Sequence, residues 1–229
     1  MKNVLIMCEG DTEVNFVKNI LNIYFHGKII FYPVKFITSF NRRKGQTKKG
    51  GIPNYESVKN QIENFINENH YNYITTMIDY YGIAGQGFPN NQYNDIYDKI
   101  DKLEEKFNED IELIIKRNNK NIKFFAYFQL HEFETLLFSD LDKLPLVEPE
   151  WSENELKNLK NSVKSFNNIE LINNNPKTAP SKRLGEAFKV RYNKIIHSTS
   201  IIEKIGVDNI RDKCRHFNEW LDKIENILE

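Results

Sequence analysis

Apolar and polar positions in the first half of the chain predict strands and helices in turn. Three segments repeat apolar residues at helical spacing, at residues 11–24, 55–69 and 93–117. Short continuous apolar runs, typical of buried strands, lie at residues 3–8, 28–37, 73–79 and 122–129. Pro33 favours an edge or bulged position for the second run, because proline cannot donate a backbone hydrogen bond to a neighbouring strand.

The second half predicts helices without further strands. Helical patterns lie at residues 131–138, 152–166, 181–192, 199–205, 207–214 and 216–228. Strands that alternate with helices form mainly parallel sheets covered on both faces. We therefore predict an α/β fold with a mainly parallel four-stranded sheet flanked by helices at residues 1–138. A helical C-terminal extension at residues 139–229 is expected to pack on this core and to form one compact unit with it.

Composition indicates a single folded protein without a membrane segment. The chain has 229 residues, of which 40% are hydrophobic, enough for one large core. It contains no apolar run of the roughly 18 residues that a membrane-spanning helix needs, and acids come too early at the N-terminus for a signal peptide. The two cysteines, Cys8 and Cys214, give no disulfide framework. We expect a cytoplasmic protein with reduced thiols.

The overall charge argues against electrostatic binding of nucleic acid over a broad surface. The 32 basic and 32 acidic residues cancel, whereas proteins that hold nucleic acid over a broad surface usually carry a basic excess. The neutral total does not exclude a local basic patch, because five cations fall in one glycine-containing loop. They are Arg42, Arg43, Lys44, Lys48 and Lys49. These side chains can bind phosphates, or they can simply keep a surface loop solvated.

Acidic residues follow three of the four predicted strands. They are Glu9 with Asp11 and Glu13 after the first strand, Asp79 at the end of the third, and Glu132 with Glu134 after the fourth. Sites in open parallel sheets form at the carboxyl ends of the strands. Carboxylates brought together there repel each other unless cations bind or some are protonated. Oxygen ligands of this kind suit Mg²⁺ or Mn²⁺, and the pattern therefore predicts a metal site.

Each acid also has a purely structural interpretation. Asp11 is the expected cap of the first helix, and Glu13 can complement the positive end of that helix. Asp79 can form a turn with its own backbone, and the acids at 132 and 134 open a predicted helix. Glu9 is harder to explain in this way, because it ends an apolar strand and precedes a glycine. Tyr80, next to Asp79, can stack on a nucleobase or pack in the core.

Several stretches resemble a known domain. CEGDTE, at residues 8–13, resembles the first motif of TOPRIM domains, the nuclease and primase module of topoisomerases, primases and OLD-family nucleases. Together with TTMIDYYG, FQLHEFETLLFSD, TAPSKR and IRDKCRHFNEWL, it resembles a prokaryotic TOPRIM-like family known only as a domain of unknown function. The resemblance runs from residue 8 to residue 221 and implies a TOPRIM-like, Rossmann-like fold.

The resemblance also implies roles for individual residues. Glu9 matches the catalytic acid or base, Asp79 the first aspartate of an Asp-x-Asp pair, and Glu13 the second acid of an EGxTE pattern. Tyr81 stands where the second aspartate would be, so that one metal ligand is missing. We expect Glu132 and Glu134 to compensate as ligands.

Lys182 is the second catalytic candidate. OLD-like nucleases place a lysine beside the metal site, where it stabilises charge on the phosphate, and Lys182 matches that position. The structural alternative is that Lys182 and Arg183 are surface charges at the start of a helix capped by Ser181.

The leading hypothesis is therefore a nuclease that depends on Mg²⁺ or Mn²⁺. The chain has no GxxxxGK[ST] motif, whereas OLD-like nucleases work with an ATPase. A separate AAA/ABC-type ATPase is thus an expected partner, in a role such as phage defence. The alternative is a catalytically inactive TOPRIM-like binding or regulatory subunit of an ATPase complex. The missing second aspartate and the neutral net charge favour that alternative.

Overall fold

The computed structural model describes residues 1–41, 46–89, 93–172, 178–188 and 192–228, with only the backbone at positions 40–41 and 46–49. It divides the chain into two compact units. The first is Met1–Gln129 together with the C-terminal residues from Ile227, and the second is Leu130–Asn226. This division lies upstream of the boundary expected after residue 138. The expectation of one compact unit remains a prediction.

A mainly parallel sheet forms the centre of the first unit and confirms the predicted α/β class. Its strands are β1 (Lys2–Cys8), β2 (Ile29–Lys35), β5 (Tyr73–Asp79), β6 (Lys123–Phe125) and β7 (Phe128–Gln129). They run in the order β2-β1-β5-β6, and β7 also pairs with β5. Every pairing is parallel. Strand β2 lies at the edge, as Pro33 predicted, and residues 4–8 of the central β1 are completely buried.

The helices of the first unit lie where the apolar spacing predicted them. They are α1 (Asp11–Phe16), a π-helical stretch (Val17–Leu21), α2 (Asn22–Tyr24), α3 (Tyr55–Ile66) and α4 (Ile96–Arg117). The side chain of Asn54 caps α3 by accepting from the backbone of Ser57, and that of Asp95 caps α4. Because these caps fix the helix starts, α4 begins slightly later than the periodicity alone indicated.

The fourth apolar run forms two short strands instead of one, which gives five strands rather than four. Ala126 and Tyr127 interrupt the run between β6 and β7. The backbone N–H of Ala126 donates to Asn108 Oδ1 at 2.7 Å, and that of Tyr127 donates to Thr76 Oγ1 at 2.8 Å. The N–H of Phe128 donates to Glu104 Oε1 at 3.0 Å. Side chains of α4 and β5 thus replace ladder hydrogen bonds, which an unbroken apolar pattern cannot reveal.

A small hairpin, absent from the sequence prediction, follows β2. Strands β3 (Ile37–Asn41) and β4 (Gln46–Lys49) pair antiparallel in a two-stranded sheet of their own. The expectation that Lys48 and Lys49 lie in a loop is therefore wrong, because both belong to β4. The other three cations of the basic cluster, Arg42, Arg43 and Lys44, lie outside the described residues.

The second unit contains helices and no strand in its described part, as predicted. It contains α5 (Glu153–Val163), α6 (Pro180–Ala187), α7 (Lys194–Ile205), α8 (Val207–Lys213) and α9 (Arg215–Glu225). Shorter 3₁₀ segments span Phe133–Ser139, Leu141–Leu146 and Ile169–Leu171. The first of these replaces the helix expected at residues 131–138. None of the helices in the described part of the chain is long and apolar enough to cross a membrane.

A buried carboxylate holds the C-terminal helix of the second unit. Glu170 is fully buried and accepts hydrogen bonds from the backbone N–H groups of His216, at 3.1 Å, and Phe217, at 3.2 Å. These N–H groups lie in the first turn of α9 and have no acceptor within their own helix. Arg211 on α8 adds ion pairs to Asp222 and Glu225 on α9. Helix α9 is thus held by charge-assisted hydrogen bonds near both of its ends, from Glu170 at its start and from Arg211 at its last turns.

Candidate active site

Two acids from neighbouring strands meet at one edge of the sheet in the first unit. Strands β1 and β5 are parallel, with Cys8 opposite Met77, so that both carboxyl ends point the same way. The backbone N–H of Glu9 extends the ladder by donating to Met77 O at 3.2 Å. Asp79, the last residue of β5, donates its backbone N–H to Glu9 Oε2 at 3.1 Å. The structure therefore brings Glu9 and Asp79 together.

Gly82 makes room for the Glu9 carboxylate. It lies in the 3₁₀ turn Tyr80–Ile83 that follows Asp79 directly. A Cβ atom at this position would lie 2.6 Å from Glu9 Oε2 and 3.0 Å from Oε1, closer than side chains tolerate. The backbone of the turn therefore packs so closely against the carboxylate that a larger residue at position 82 would displace it. The role of Gly82 was not predicted, because the sequence shows only a glycine in the turn after Asp79.

Glu13 secures the turn between β1 and α1. Its Oε2 accepts from the backbone N–H of Gly10 at 2.8 Å, and the side chain is 2% exposed. Gly10 occupies the N-cap position of α1, so the expectation that Asp11 caps this helix is wrong. Asp11 instead forms an ion pair of 2.7 Å with Lys35 at the end of β2, a partner that sequence spacing does not indicate.

The hairpin is anchored at the same end of β1. The N–H of Phe36 donates to Cys8 O at 3.2 Å, and the N–H of Gly51 donates to Glu9 O at 3.0 Å. Gly50 and Gly51 have φ angles of +97° and +77°, which only glycine adopts readily. Both ends of the β3–β4 hairpin therefore join the chain beside Glu9.

The donor atoms of the pair fit a hard divalent cation. Asp79 is 6% exposed and Glu9 is half-buried, and both offer carboxylate oxygens, which Mg²⁺ and Mn²⁺ prefer. Within the described ranges, no group of three or more His, Cys, Asp or Glu side chains is arranged to hold a metal ion. A cation held here would have one or two carboxylate ligands from the described residues and would need waters or phosphate oxygens to complete its shell, as is common for Mg²⁺.

Cys8, beside the acidic pair, is a buried core residue. Burial raises the pKa of its thiol well above the usual value, and the negative charge of Glu13 raises it further. The thiolate is the nucleophilic form of cysteine. Cys8, which is completely buried in β1, is therefore unsuited to nucleophilic chemistry.

Glu132 and Glu134 have identified partners within the second unit. Glu132 accepts from the backbone N–H of Ser181 at 2.5 Å and from its hydroxyl at 3.1 Å. The completely buried Glu134 lies 2.9 Å from Lys194 Nζ and accepts from the hydroxyl of Tyr192 at 3.3 Å. Burial raises the pKa of Glu134 to about 7, although the charge of Lys194 works in the opposite direction. The role of both acids as metal ligands stays a prediction.

Lys182 lies exposed in the first turn of α6. This helix starts at Pro180, with Ala179 in the capping position, so the proposed cap at Ser181 is wrong. The carboxylate of Glu132 satisfies the N–H of Ser181 instead. Arg183 has structural contacts, because it donates to the carbonyls of Thr178 and Ser162 at 2.8 Å each. A catalytic role for Lys182 stays a prediction.

The turn after Asp79 also borders a pocket of about 410 Å³ in the first unit. Tyr80 and Tyr81 are both half-buried and line it. The ammonium group of Lys99, on α4, lies 5.7 Å from the centre of the Tyr80 ring. Tyr80, expected either to stack on a base or to pack in the core, is therefore part of a pocket wall.

A comparison with known protein families gives one match. The model of a family described as Domain of unknown function (DUF4276) matches residues 8–225. No curated protein and no solved structure matches the chain. The matched region includes Glu9 and Asp79. The expected resemblance to an uncharacterised family is thereby confirmed.

Proposed function

We propose that this chain, which belongs to the DUF4276 family, is a TOPRIM-like nuclease that hydrolyses phosphodiester bonds of nucleic acid with Mg²⁺ or Mn²⁺. The observation that carries the proposal is the meeting of Glu9 and Asp79 at the carboxyl ends of adjacent parallel strands, joined by a hydrogen bond of 3.1 Å. This is the place at which sites form in sheets of this class.

Asp79 and Glu9 have distinct roles in this proposal. Asp79, together with Glu9 or Glu13, would hold the cation. The chemistry that a bound Mg²⁺ or Mn²⁺ supplies is polarisation of the phosphoryl oxygen and a lower pKa for a water molecule. Glu9 acts as the general base that takes the proton of the attacking water. Its carboxylate is oriented for this by the N–H of Asp79 and by the backbone at Gly82.

Glu13 is a positioning residue as well as a candidate ligand. Its hydrogen bond to the N–H of Gly10 fixes the direction in which the chain leaves β1. Glu9 directly precedes Gly10, so the orientation of its side chain depends on that direction. Holding the base in one geometry before substrate binds lowers the cost of reaching the transition state.

The basic hairpin supports nucleic acid as the substrate. Strand β4 carries Lys48 and Lys49, and Arg42, Arg43 and Lys44 belong to the same cluster in the sequence. The hairpin joins the chain beside Glu9, through the hydrogen bond from Gly51 N to Glu9 O. Five cations in one short segment of a chain with zero net charge would favour binding of a phosphate backbone.

A regulatory subunit without nuclease activity is the second candidate. Tyr81 occupies the place of a second metal-binding aspartate and lines the pocket, and no three-ligand group occurs among the described residues. In either case ATP hydrolysis would come from a separate AAA/ABC-type ATPase, as in phage-defence complexes, because the chain lacks the GxxxxGK[ST] motif.

The test is cleavage of labelled single-stranded DNA, duplex DNA and RNA by the purified chain, with Mg²⁺, with Mn²⁺ and with chelator. We expect metal-dependent cleavage of at least one substrate, abolished in Asp79→Asn. Asp11→Asn is the matched control, because Asp11 is a neighbouring acid that pairs with Lys35, and it should retain activity. Cleavage that persists in chelator or in Asp79→Asn would refute the proposal.

A further inference from the structure

The pocket beside Asp79 has the size and composition of a binding site for an aromatic anion. Its volume of about 410 Å³ lies within the roughly 300–1,000 Å³ typical of small-molecule sites. Aromatic and apolar side chains form most of its described wall, and Lys99 carries the only charge among the described lining residues. None of the described lining residues offers a carboxylate that would favour a cationic ligand.

The far wall of the pocket is closely packed. Phe88 is 8% exposed and packs edge-on against Phe128, with ring centroids 5.8 Å apart, and against Tyr55 at 4.8 Å. The backbone N–H of Tyr55 donates to Gln86 O at 2.8 Å, which ties the pocket loop to the start of α3. These contacts hold the described far wall in place, and a wall positioned before the ligand binds lowers the cost of binding.

The near wall combines a ring face with a cation. Lys99 Nζ lies 5.7 Å from the centre of the half-buried Tyr80 ring, and Tyr81 lies beside it with ring centroids 6.4 Å apart. A nucleotide offers the complementary groups, because its base has a π face for stacking and its phosphate a charge for the ammonium group.

One turn connects this pocket with the acidic pair. Tyr80 follows Asp79 directly, and Gly82 in the same turn packs its backbone against the Glu9 carboxylate. A nucleotide whose base lies in the pocket would therefore contact the same turn that packs against the Glu9 carboxylate.

We propose that this pocket, formed by Tyr80, Tyr81, Phe88 and Lys99, takes one unpaired nucleobase of the substrate. A base inside a duplex has both faces covered by its neighbours and must be flipped out to enter such a pocket. The preferred substrate is accordingly single-stranded nucleic acid or an unpaired end. This inference rests on the proposed nuclease function, because it names the substrate class of that same site.

The test measures binding without catalysis, using fluorescent 12-mer oligothymidylate and a 12-base-pair duplex in chelator. Tyr80→Ala should weaken single-strand binding by about 5- to 150-fold, the range for loss of one base–aromatic stack, and leave duplex binding unchanged. Tyr80→Phe keeps the ring and should bind like the wild type. The proposal would be overturned if Tyr80→Ala bound the single strand as tightly as the wild type does. It would also be overturned if the variant lost the same affinity for the single strand and for the duplex.

Lys99→Gln provides a second variant with little risk to folding, because the Lys99 side chain is only partly buried. It should weaken single-strand binding. It should also make the plot of log affinity against log salt concentration less steep by roughly 0.7, the value for the loss of one phosphate contact. An unchanged slope would contradict the phosphate contact.

Failure of this inference is distinguishable from failure of the proposed function. If Tyr80→Ala loses single-strand binding but no variant cleaves, the pocket stands and the nuclease proposal fails. If the wild type cleaves nucleic acid and Tyr80→Ala binds and cleaves single strands normally, the nuclease stands and the pocket proposal fails.

Discussion

The backbone N–H of Asp79 donates a hydrogen bond to Oε2 of Glu9 at 3.1 Å. The two residues lie 70 positions apart and meet because β1 and β5 are parallel neighbours. The bond orients the Glu9 carboxylate at the end of the sheet and fixes the start of the turn that carries Tyr80 and Gly82. Both the proposed chemistry and the proposed base pocket depend on it.

Gly82→Ala should lower the rate of cleavage while the protein stays folded. The new methyl group would lie 2.6 Å from Glu9 Oε2, and the carboxylate, at the end of a flexible side chain, would move away. The variant should lose on the order of 1–3 kcal/mol of unfolding free energy, as expected for one hydrogen bond to a charged group. Its kcat should fall while its affinity for oligothymidylate stays unchanged.

Gly185→Ala is the control for this substitution. Gly185 lies in α6, and a Cβ there meets nothing within 4 Å. Alanine should raise the free energy of unfolding by up to about 1 kcal/mol, because it favours the helix, and leave kcat unchanged. Equal kcat values for Gly82→Ala and the wild type would show that the position of the Glu9 carboxylate does not matter for cleavage.

Asp79→Asn should weaken Mn²⁺ binding, measured by isothermal titration calorimetry without nucleic acid. Removal of a charged ligand should cost at least as much as loss of an outer-shell partner, roughly 10- to 100-fold in affinity. Asp11→Asn should bind Mn²⁺ like the wild type. Identical isotherms for all three proteins would exclude Asp79 as a ligand of the cation.

Glu170→Ala should destabilise the protein through α9. The substitution removes the acceptor of the His216 and Phe217 N–H groups in a fully buried position. We expect a loss of about 1–3 kcal/mol in urea unfolding, and a smaller loss for Glu170→Gln, whose carbonyl oxygen can still accept. Alanine at the exposed Glu203 is the control and should stay within about 0.5 kcal/mol of the wild type. A loss at position 170 no larger than this control would refute the capping role.

Glu134 should make stability depend on pH in the weakly acidic range. Burial raises the pKa of this carboxyl from about 4.5 to about 7 in the folded protein, against the charge of Lys194 and with a further increase from Glu132. Because the folded protein then holds the proton more tightly than the unfolded chain, its contribution to stability falls as pH rises from about 4.5 to about 7.

Glu134→Gln removes this titration and gives the measurement. The unfolding free energy of the wild type, relative to the variant, should decrease by up to about 3 kcal/mol between these two pH values. The partners Tyr192 and Lys194 remain in both proteins. Parallel pH profiles would show that Glu134 titrates alike in the folded and unfolded states.

Hydrophobic spacing predicted the elements that have a buried face. The strand at 73–79 has the bounds predicted for it, and the edge position of β2 followed from Pro33. The hairpin of β3 and β4 could not be found in this way, because its described strands are rich in polar residues and pair with each other in a separate two-stranded sheet. The break at Ala126 was hidden because Asn108, on a helix, accepts its backbone hydrogen bond.

The candidate site was predictable only for residues whose positions follow from the order and direction of the strands. Acids at the ends of parallel strands must share an edge of the sheet, which brought Glu9 and Asp79 together in the prediction. The role of Gly82 depends on a distance of a few ångströms between segments remote in sequence. The contact of Glu132 with Ser181 spans 49 positions, and no periodic pattern encodes it.

Cleavage kinetics of Glu9→Gln test the central claim most directly. Glutamine is close in size and can still accept the hydrogen bond from Asp79, but it cannot take a proton from water. With saturating Mg²⁺ or Mn²⁺ we predict a loss in kcat of roughly 10²- to 10⁴-fold, unchanged binding of oligothymidylate, and normal kcat for Asp11→Asn. A kcat of Glu9→Gln equal to that of the wild type would contradict the proposed nuclease. So would a wild type that cleaves no DNA or RNA when its ATPase partner is supplied.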